Sequence, residues 1–306
     1  MDWIPQEGLH VWIHGASLGE AKATVQIARH LPKGVQAVLT STTASGLERL
    51  REELPGTLSF LAPWDDPAVA TRFALSMGVT KLLLVEAEIW PGWIHAMQRL
   101  GVPVAVSAVR VAGPSQGRWM RLWKLFPTLP QALSCVWANA GEVARAREAG
   151  FVNVVQGASL KWAGTAPVRE WFVPGRHAAL SIHRRDAGEL SRMVAEWGGG
   201  WMLFPRRLGD AGFWRRWARR QGLKLADSAR QVGDGKVWIA ERFGLVKASL
   251  PGCEKAWVSP GHDAWEPLFL GAKESWPSGY GQEHLDAYRR RVAKGLEFVE
   301  IWLKGL

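Results

Sequence analysis

Short runs of β-branched and aliphatic residues alternate with amphipathic stretches throughout the first half of the chain. Seven runs predict strands, at residues 10–14, 36–41, 58–62, 81–86, 103–108, 135–138 and 153–156. Six segments between them predict helices, near residues 20–30, 44–53, 67–76, 91–100, 116–126 and 140–149. Such alternation is typical of a parallel sheet covered by helices. The first half is therefore predicted to be a doubly wound α/β domain.

The alternation weakens between residues 161 and 174, where the sequence A-G-T-A-P at residues 163–167 is typical of a turn-rich linker. A second α/β set follows, with strands predicted at residues 178–183, 201–205, 236–240 and 255–258 and helices near residues 187–197, 210–221, 264–270 and 282–304. A chain of 306 residues has room for two domains. We predict one at residues 1–164 and another at 165–306. Two such domains would face each other across a ligand cleft at the carboxyl ends of their strands.

The charge of the chain narrows the class of partner. Lysine and arginine number 38 against 28 acidic residues, a net charge of +10. This indicates an anionic partner, which could be a nucleic acid, a phosphorylated ligand or an acidic membrane surface. No basic module with interleaved aromatic residues is visible, so we expect no nucleic acid partner. No apolar run approaches the roughly 20 residues of a membrane-spanning helix, so we expect any membrane contact to be peripheral.

Several familiar catalytic signatures are missing from the sequence. It contains no Walker A loop, no G-x-G-x-x-G after the first strand, no H-E-x-x-H, no G-x-S-x-G and no cysteine spacing typical of zinc. We therefore expect neither a metal ion nor a redox cofactor. The two cysteines, Cys135 and Cys253, lie far apart, as is typical of a protein from a reducing cytoplasm.

A first candidate site lies where the first predicted strand leads into the first helix, at residues 14–20 with the sequence H-G-A-S-L-G-E. Catalytic groups of α/β proteins lie at such strand ends. Glycines, among them Gly19, would let the backbone turn tightly beside a ligand, and the Glu20 carboxylate would face the cleft. Ser17 and Glu20 also have the spacing of a capping box, in which they only stabilise the start of the helix. The spacing leaves both interpretations open.

A second candidate site follows the fourth predicted strand. Glu86 and Glu88 precede a helix that can begin at Pro91. In extended backbone, side chains two residues apart project to the same side, so these carboxylates would share one site and one of them could have a raised pKa. A solvated strand end is the alternative interpretation.

Candidate sites in the second half also lie at turns and strand ends. A turn into a short helix contains Gly261, His262, Asp263 and Glu266. Helix N-termini bind phosphate through free N–H groups, and a carboxylate in the first turn can accept hydrogen bonds from sugar hydroxyls, although Asp263 and Glu266 again have capping-box spacing.

Two polar residues end predicted strands of the second half, His183 and Arg206. The Arg206 guanidinium could hold a phosphate or a carboxylate. A solvated surface arginine is the alternative interpretation for that residue.

These segments, taken in order, resemble the 3-deoxy-D-manno-octulosonic acid (Kdo) transferases, which are GT-B glycosyltransferases. The family pattern H-A-x-S-x-G-E is similar to residues 14–20, T-T-T-x-x-G to 41–46, E-T-E-L-W-P to 86–91, G-N-L-K to 157–161 with one insertion, S-T-H to 181–183, P-R-H to 205–207 and G-H-N-x-x-E-P to 261–267. The resemblance covers about 250 residues in collinear order. It implies a GT-B fold, with two Rossmann-like α/β domains facing each other across a cleft.

The resemblance also implies an inverting, metal-independent reaction, with a CMP-activated sugar, most simply Kdo, as donor substrate and a lipid A precursor as anionic glycolipid acceptor. Glu20 would be the general base, and the acceptor side would include Ser17, Gly19, Glu86 and Glu88. The donor side would include Lys161, His183, Arg206, Gly261, His262, Asp263 and Glu266. Arg206 and Lys161 would neutralise the donor's phosphate or carboxylate, and Glu266 would hold the ribose. The expected location is peripheral, at the inner face of the cytoplasmic membrane.

The sequence departs from the family pattern on the donor side. The family's G-E-L is reduced to F-G-L at residues 243–245, and its G-G-S is replaced by V-S-P at 258–260. Only about nine residues precede the first predicted strand, where family members usually carry a membrane-anchoring segment. These departures motivate an alternative function: a catalytically impaired GT-B relative that binds a nucleotide or glycolipid and regulates a partner.

Overall fold

The computed structural model describes residues 8–86, 88–109, 111, 113–139, 142–157, 160, 173–241, 253–259, 268, 272, 274–276 and 280–303. The chain forms two compact units. The first comprises Met1–Gly164 together with Arg289–Leu306, and the second comprises Thr165–Tyr288.

The first unit is built on a seven-stranded sheet in which each neighbouring pair of strands is parallel. Its strands are β1 (Leu9–His14), β2 (Val35–Ser41), β3 (Leu58–Leu61), β4 (Val79–Leu84), β5 (Val104–Val109), β6 (Leu133–Asn139) and β7 (Val154–Gly157). They lie in the order β3-β2-β1-β4-β5-β6-β7. The order reverses between β1 and β4, and open α/β sheets bind ligands at such a switch point.

Helices connect the strands of the first unit. They are α1 (Leu18–Arg29), α2 (Ala44–Glu53), α3 (Pro67–Ser76), α4 (Pro91–Leu100), α5 (Gly113–Leu125), α6 (Leu129–Ala132) and α7 (Val143–Glu148). Local sequence explains several of their ends. The Asp66 side chain accepts hydrogen bonds from two N–H groups at the start of α3, α4 begins with Pro91 at its first position, and Gly101 ends α4 with a φ of 68°.

Tryptophan rings fill the core beneath the carboxyl end of β1. Trp12 and Trp93 are fully buried, with ring centroids 4.6 Å apart. Trp90 stacks on Trp93 at 4.6 Å. Rings of this size remove a large apolar area from water, so they fix α4 and the chain before it against the sheet.

The second unit also contains a seven-stranded sheet. Its strands are β8 (Val173–Ile182), β9 (Gly200–Pro205), β10 (Lys224–Leu225), β11 (Lys236–Ile239), β12 (Cys253–Val258), β13 (Glu274–Trp276) and β14 (Tyr280–Gly281), in the order β10-β11-β9-β8-β12-β13-β14. Only the pair β13 and β14 is antiparallel among these described strands. Helices α8 (Ala187–Trp197) and α9 (Ala211–Arg220) follow β8 and β9. The predicted α/β fold of both halves is confirmed.

The terminal helix, α10 (Gln282–Leu303), begins in the second unit and ends in the first. The ammonium group of Lys81 donates a hydrogen bond of 2.6 Å to the carbonyl oxygen of Trp302, and the Trp302 indole N–H donates to the hydroxyl of Ser134 at 3.1 Å. Residues 289–306 therefore lie in the first unit and not, as predicted, in the second.

The other differences from prediction are local. Strand β4 ends at Leu84 rather than at residue 86, because Glu86 has a left-handed backbone with a φ of 63°. The short elements β10, β13, β14 and α6 were not predicted, since two to four residues carry little periodicity. The predicted helix at 264–270 lies, apart from Leu268, outside the described residues. No helix in the described ranges is both long enough and apolar enough to cross a bilayer.

Candidate active site

Glu20 lies in the first turn of α1, immediately after β1. The Ser17 N–H donates a hydrogen bond of 2.7 Å to Glu20 Oε2, so the capping box predicted from the spacing is formed. A Cβ on Gly15 would lie 2.4 Å from Thr24 Oγ1, which explains the glycine there. Gly19 differs from expectation because it lies within the helix, where a Cβ would make only an ordinary contact at 3.7 Å.

Glu86 and Glu88 follow β4, the strand beside β1 in the sheet. Their backbone is not extended as predicted, because Glu86 adopts the left-handed conformation. Such backbone costs roughly 1 kcal/mol or more in a residue that is not glycine, and it is often found at functional sites. Both carboxylates nevertheless line the same cavity as Glu20.

That cavity has a volume of about 710 Å³ and lies at the carboxyl edge of the first sheet. The three glutamates contribute its acidic lining, and α5 contributes a lining that is both basic and apolar. The lining residues are Glu20, Glu86, Glu88, Ile89, Ala108, Arg118, Trp119, Arg121, Leu122 and Leu125. The cavity is large enough for a drug-sized ligand and lies at the switch point between β1 and β4.

Burial and like charge act together on one of these carboxyl groups. Burial raises the pKa of Glu88, and the neighbouring Glu20 carboxylate raises it further. Glu88 therefore holds its proton to a higher pH than an ordinary glutamate. A carboxyl group whose pKa is raised inside a cavity is a typical feature of a functional site.

His14 contacts both β2, which precedes the motif at residues 41–46, and Trp90 of the motif at residues 86–91. It is fully buried at the end of β1, and its Nδ1 lies 2.8 Å from Thr40 Oγ1, which also accepts the Trp12 indole N–H at 2.8 Å. Its ring makes edge contacts with Trp90 at 5.4 Å and Trp93 at 4.8 Å. Burial lowers the pKa of His14 to about 3, so it is neutral at pH 7.

Residues 41–46 hold the turn between β1 and α1. The backbone N–H of Thr42 donates to the carbonyl oxygen of Ala16 at 3.2 Å, and the hydroxyls of Ser41 and Thr42 donate to that oxygen as well. A Cβ on Gly46 would lie 2.2 Å from Ser41 Oγ, so a larger residue there would displace the hydroxyl that donates to Ala16. The motifs at residues 14–20, 41–46 and 86–91 thus converge on one place. The structural roles of His14 and Ser41 depend on contacts that no sequence spacing indicates.

Two of the predicted donor-side residues lie at neighbouring strand ends of the second unit. His183 follows β8 and Arg206 follows β9, and the Arg206 N–H donates to the carbonyl oxygen of Ile182 at 2.9 Å. The side chain of Arg206 is exposed and that of His183 is half-buried.

A buried aspartate that was not predicted supports this turn. Asp186 Oδ2 accepts the backbone N–H of His183 at 2.7 Å and the hydroxyl of Ser259 at 2.8 Å. Ser259 follows β12, so the network joins the ends of β8 and β12, where the order of the second sheet reverses. His183 and Asp186 have the three-residue spacing of a capping box. That spacing is the feature of the sequence from which the role of Asp186 could have been predicted.

The remaining donor-side predictions, Lys161, Gly261, His262, Asp263 and Glu266, lie outside the described residues. Within the described ranges, no three His, Cys, Asp or Glu side chains are grouped so that they could hold a metal ion.

Two doubly wound units, each with polar groups at its switch point, define a protein of the GT-B fold. Solved structures share this fold. The chain is similar to a putative UDP-N-acetylglucosamine 2-epimerase from Listeria monocytogenes, with a TM-score of 0.59, 10% identity and coverage of 98% of this chain and 91% of that one. It is also similar to a glycosyltransferase from Rickettsia africae, with a TM-score of 0.54, 9% identity and coverage of 97% and 94%.

Residues 2–162 match the family model described as 3-deoxy-D-manno-octulosonic-acid transferase (kdotransferase). The chain belongs to the Kdo transferase family, as the resemblance of its motifs predicted.

Several proteins similar to this chain are named 3-deoxy-D-manno-octulosonic acid transferases. The chain is 32% identical over 116 residues to the probable mitochondrial 3-deoxy-D-manno-octulosonic acid transferase of Arabidopsis thaliana, and 34% identical over 119 residues to the transferase of Bordetella pertussis. These matches cover 37% and 36% of this chain but only 26% and 28% of those relatives. Identity to the transferase of Aquifex aeolicus is 24%, over 97% of this chain and 83% of the relative.

Proposed function

We propose that this protein is an inverting glycosyltransferase that transfers Kdo from a CMP-activated donor to a lipid A precursor. The observation that carries the proposal is the placement of Glu20 in a cavity at the switch point of the first sheet, beside Glu88. Membership of the Kdo transferase family supports the choice of sugar. The names of the relatives from Arabidopsis thaliana and Bordetella pertussis agree with it.

In the proposed reaction, Glu20 is the general base. The oxygen of the acceptor hydroxyl forms a bond to the anomeric carbon of the donor while its proton passes to the Glu20 carboxylate. The bond between that carbon and the phosphate oxygen of CMP breaks, and CMP leaves with the electron pair. Attack on the face opposite the leaving group inverts the anomeric centre.

The capping role of Glu20 is compatible with this chemistry. An ionised carboxylate has two oxygens with about four acceptor positions, and the Ser17 N–H occupies one position on Oε2. That hydrogen bond also fixes the orientation of the carboxylate, which reduces the entropy lost when the acceptor is positioned. The capping box therefore supports the proposed base rather than competing with it.

Glu86 and Glu88 are proposed to hold the hydroxyls of the acceptor sugar. Because its pKa is raised, Glu88 keeps its proton to a higher pH than an ordinary glutamate, and in its protonated form it donates a hydrogen bond as well as accepting one. The proposed donor side comprises His183 and Arg206 in the second unit, with Lys161, Gly261, His262, Asp263 and Glu266. We propose that Arg206 neutralises an anionic group of the donor, so that no metal ion is needed.

The variant Glu20→Gln tests the proposed base. Its amide oxygen can still accept the Ser17 N–H, but the amide cannot take up a proton. In an assay with the full chain, CMP-Kdo and a lipid A precursor, we expect transfer to fall by about 10²- to 10⁴-fold while the protein keeps its thermal stability. Transfer at the parent rate would show that Glu20 is only structural.

Glu142→Gln is the matched control for this experiment. Glu142 Oε2 also accepts a backbone N–H, that of Val111 at 2.9 Å, but Glu142 does not line the cavity. We expect this variant to transfer Kdo at the parent rate. Calorimetry with CMP distinguishes the proposed enzyme from the alternative, a catalytically impaired relative that regulates a partner. If the parent chain binds CMP but transfers no sugar, the alternative replaces our proposal.

We also propose that the protein acts at the inner face of the cytoplasmic membrane, where its lipid acceptor would be found. The net charge of +10 favours contact with acidic headgroups.

A further inference from the structure

Strand β8 of the second unit ends in an irregular backbone. Ser181 is left-handed with a φ of 54°, and the pairing of β8 with β9 shifts its register between Leu180 and Ile182. Glu86 has the same kind of backbone after β4 in the first unit. A residue other than glycine keeps this conformation only where surrounding contacts hold it, and such irregularities are often found beside functional sites.

The peptide groups on either side of Ser181 are held by the neighbouring strands. The Ser259 N–H, after β12, donates to the carbonyl oxygen of Leu180 at 3.2 Å. The Arg206 N–H, after β9, donates to the carbonyl oxygen of Ile182 at 2.9 Å. Relaxation of Ser181 to ordinary strand geometry would rotate both carbonyl groups. It would therefore displace the backbone of Arg206, the residue proposed to neutralise the donor.

Asp186 holds the same turn through its side chain. The residue is buried, and its Oδ2 accepts the His183 N–H at 2.7 Å and the Ser259 hydroxyl at 2.8 Å. Hydrogen bonds to a carboxylate are stronger than those between neutral groups, and burial strengthens them further. Ser259 lies two residues before Gly261, where the family pattern G-G-S is replaced by V-S-P. Its bond to Asp186 thus anchors the start of the segment that carries the predicted donor-side residues 261–266.

We propose that Asp186 and Ser259 are positioning residues for the donor. Their hydrogen bond keeps Ser181 in its left-handed conformation and thereby holds His183 and Arg206 in the arrangement that binds the anionic groups of the donor. The inference rests on the proposed function and adds to it two residues that act through others. Without this bond the turn relaxes, and more entropy is lost when the donor binds.

The variant Ser259→Ala removes the hydroxyl without adding volume. Calorimetry of the full chain with CMP and steady-state kinetics with CMP-Kdo measure its effect. We expect the CMP affinity to fall by about five- to tenfold and the KM for CMP-Kdo to rise by the same factor, while kcat stays within about twofold of the parent, because binding and not chemistry is affected.

Ser275→Ala is the matched control. Ser275 is also a buried serine of the second sheet, but it lies on β13, away from the turn after β8. Loss of a buried hydroxyl should lower the melting temperature in both variants, whereas only Ser259→Ala should weaken CMP binding. A lower melting temperature of Ser259→Ala with parental CMP affinity would show that this bond is only structural and would overturn the proposal.

A double-mutant cycle tests whether Ser259 acts through Asp186. Asp186→Ala should bind CMP about tenfold more weakly than the parent, since the turn loses both hydrogen bonds to the carboxylate. In that background, the further change Ser259→Ala should leave CMP affinity unaltered, because the partner of the hydroxyl is already missing. A further loss as large as that of Ser259→Ala alone would contradict the proposed coupling.

The CMP affinities separate this inference from the proposed enzyme. If the parent binds CMP but transfers no sugar, the enzyme is contradicted, and the affinities of the variants still decide the positioning role. If the parent does not bind CMP, both proposals are overturned.

Discussion

Acidification should destabilise the first unit through His14, whose folded-state pKa is about 3 against 6.5 in its ordinary state. A histidine with a lowered pKa is neutral in the folded protein but takes up a proton on unfolding whenever the pH is below 6.5. Stability therefore falls as the pH decreases from 6.5 toward 3. Each pH unit in that window corresponds to about 1.4 kcal/mol, so about 3 kcal/mol is lost at about pH 4.5. A domain with a stability of roughly 5–15 kcal/mol would be measurably weakened.

Urea unfolding followed by tryptophan fluorescence, at pH 7 and at about pH 4.5, measures this loss. Carboxyl groups also titrate in the window, so the informative quantity is the difference between the parent and His14→Asn. Asparagine keeps a neutral polar group beside Thr40 and does not titrate here. We expect the variant to lose about 3 kcal/mol less than the parent on acidification, whatever its stability at pH 7. His30 is exposed, so the variant His30→Asn is the control for the removal of a histidine as such. Equal acid losses in the parent and His14→Asn would refute the reasoning.

Three further predictions concern single side chains. Since the pKa of Glu88 is raised, its ionisation opposes folding as the pH rises above the ordinary glutamate value, so Glu88→Gln should raise the melting temperature at pH 8 but not at pH 4. Lys81→Met leaves the buried carbonyl of Trp302 without its donor, and hydrogen exchange should show the last turn of α10 less stable by about 1–3 kcal/mol. Gly92→Ala places a Cβ 2.7 Å from a backbone oxygen of the loop after β3, so urea unfolding should show a free energy of unfolding lower by about 1–3 kcal/mol. Gly188 has the same position in α8 with nothing within 4 Å of an added Cβ, so Gly188→Ala should not destabilise the protein.

Elements with strong local signals could be predicted from the sequence. The bounds of α2, α3 and α4 were predicted to the residue, because caps and prolines mark their starts. The strands of the first sheet were found within a few residues, because buried parallel strands are short apolar runs between turns. Glu20 and the pair Glu86 and Glu88 were each predicted at a strand end, and the family resemblance implied that they lie on one side of the site. All three line one cavity, because the ends of parallel strands meet at one edge of a sheet.

Features that depend on distant contacts could not be predicted. The left-handed backbone of Glu86 has no local cause in its sequence, and the sequence does not show that Thr40 would lie beside His14. Asp186 has the spacing of a cap, but its bond to Ser259, 73 residues later, depends on the order of the strands. Likewise, nothing within α10 itself indicates that its end would contact β4.

The return of α10 to the first unit affects the order in which the protein can fold during synthesis. A chain leaves the ribosome with its N-terminus first, and a domain made of one continuous segment can fold as soon as that segment has emerged. Here Lys81 obtains its carbonyl partner only after Trp302 has been made. The surface of the first unit that contacts the end of α10 therefore stays uncovered while the second unit is translated. Codon changes that slow translation after residue 164 should therefore prolong the exposure of that surface to chaperones.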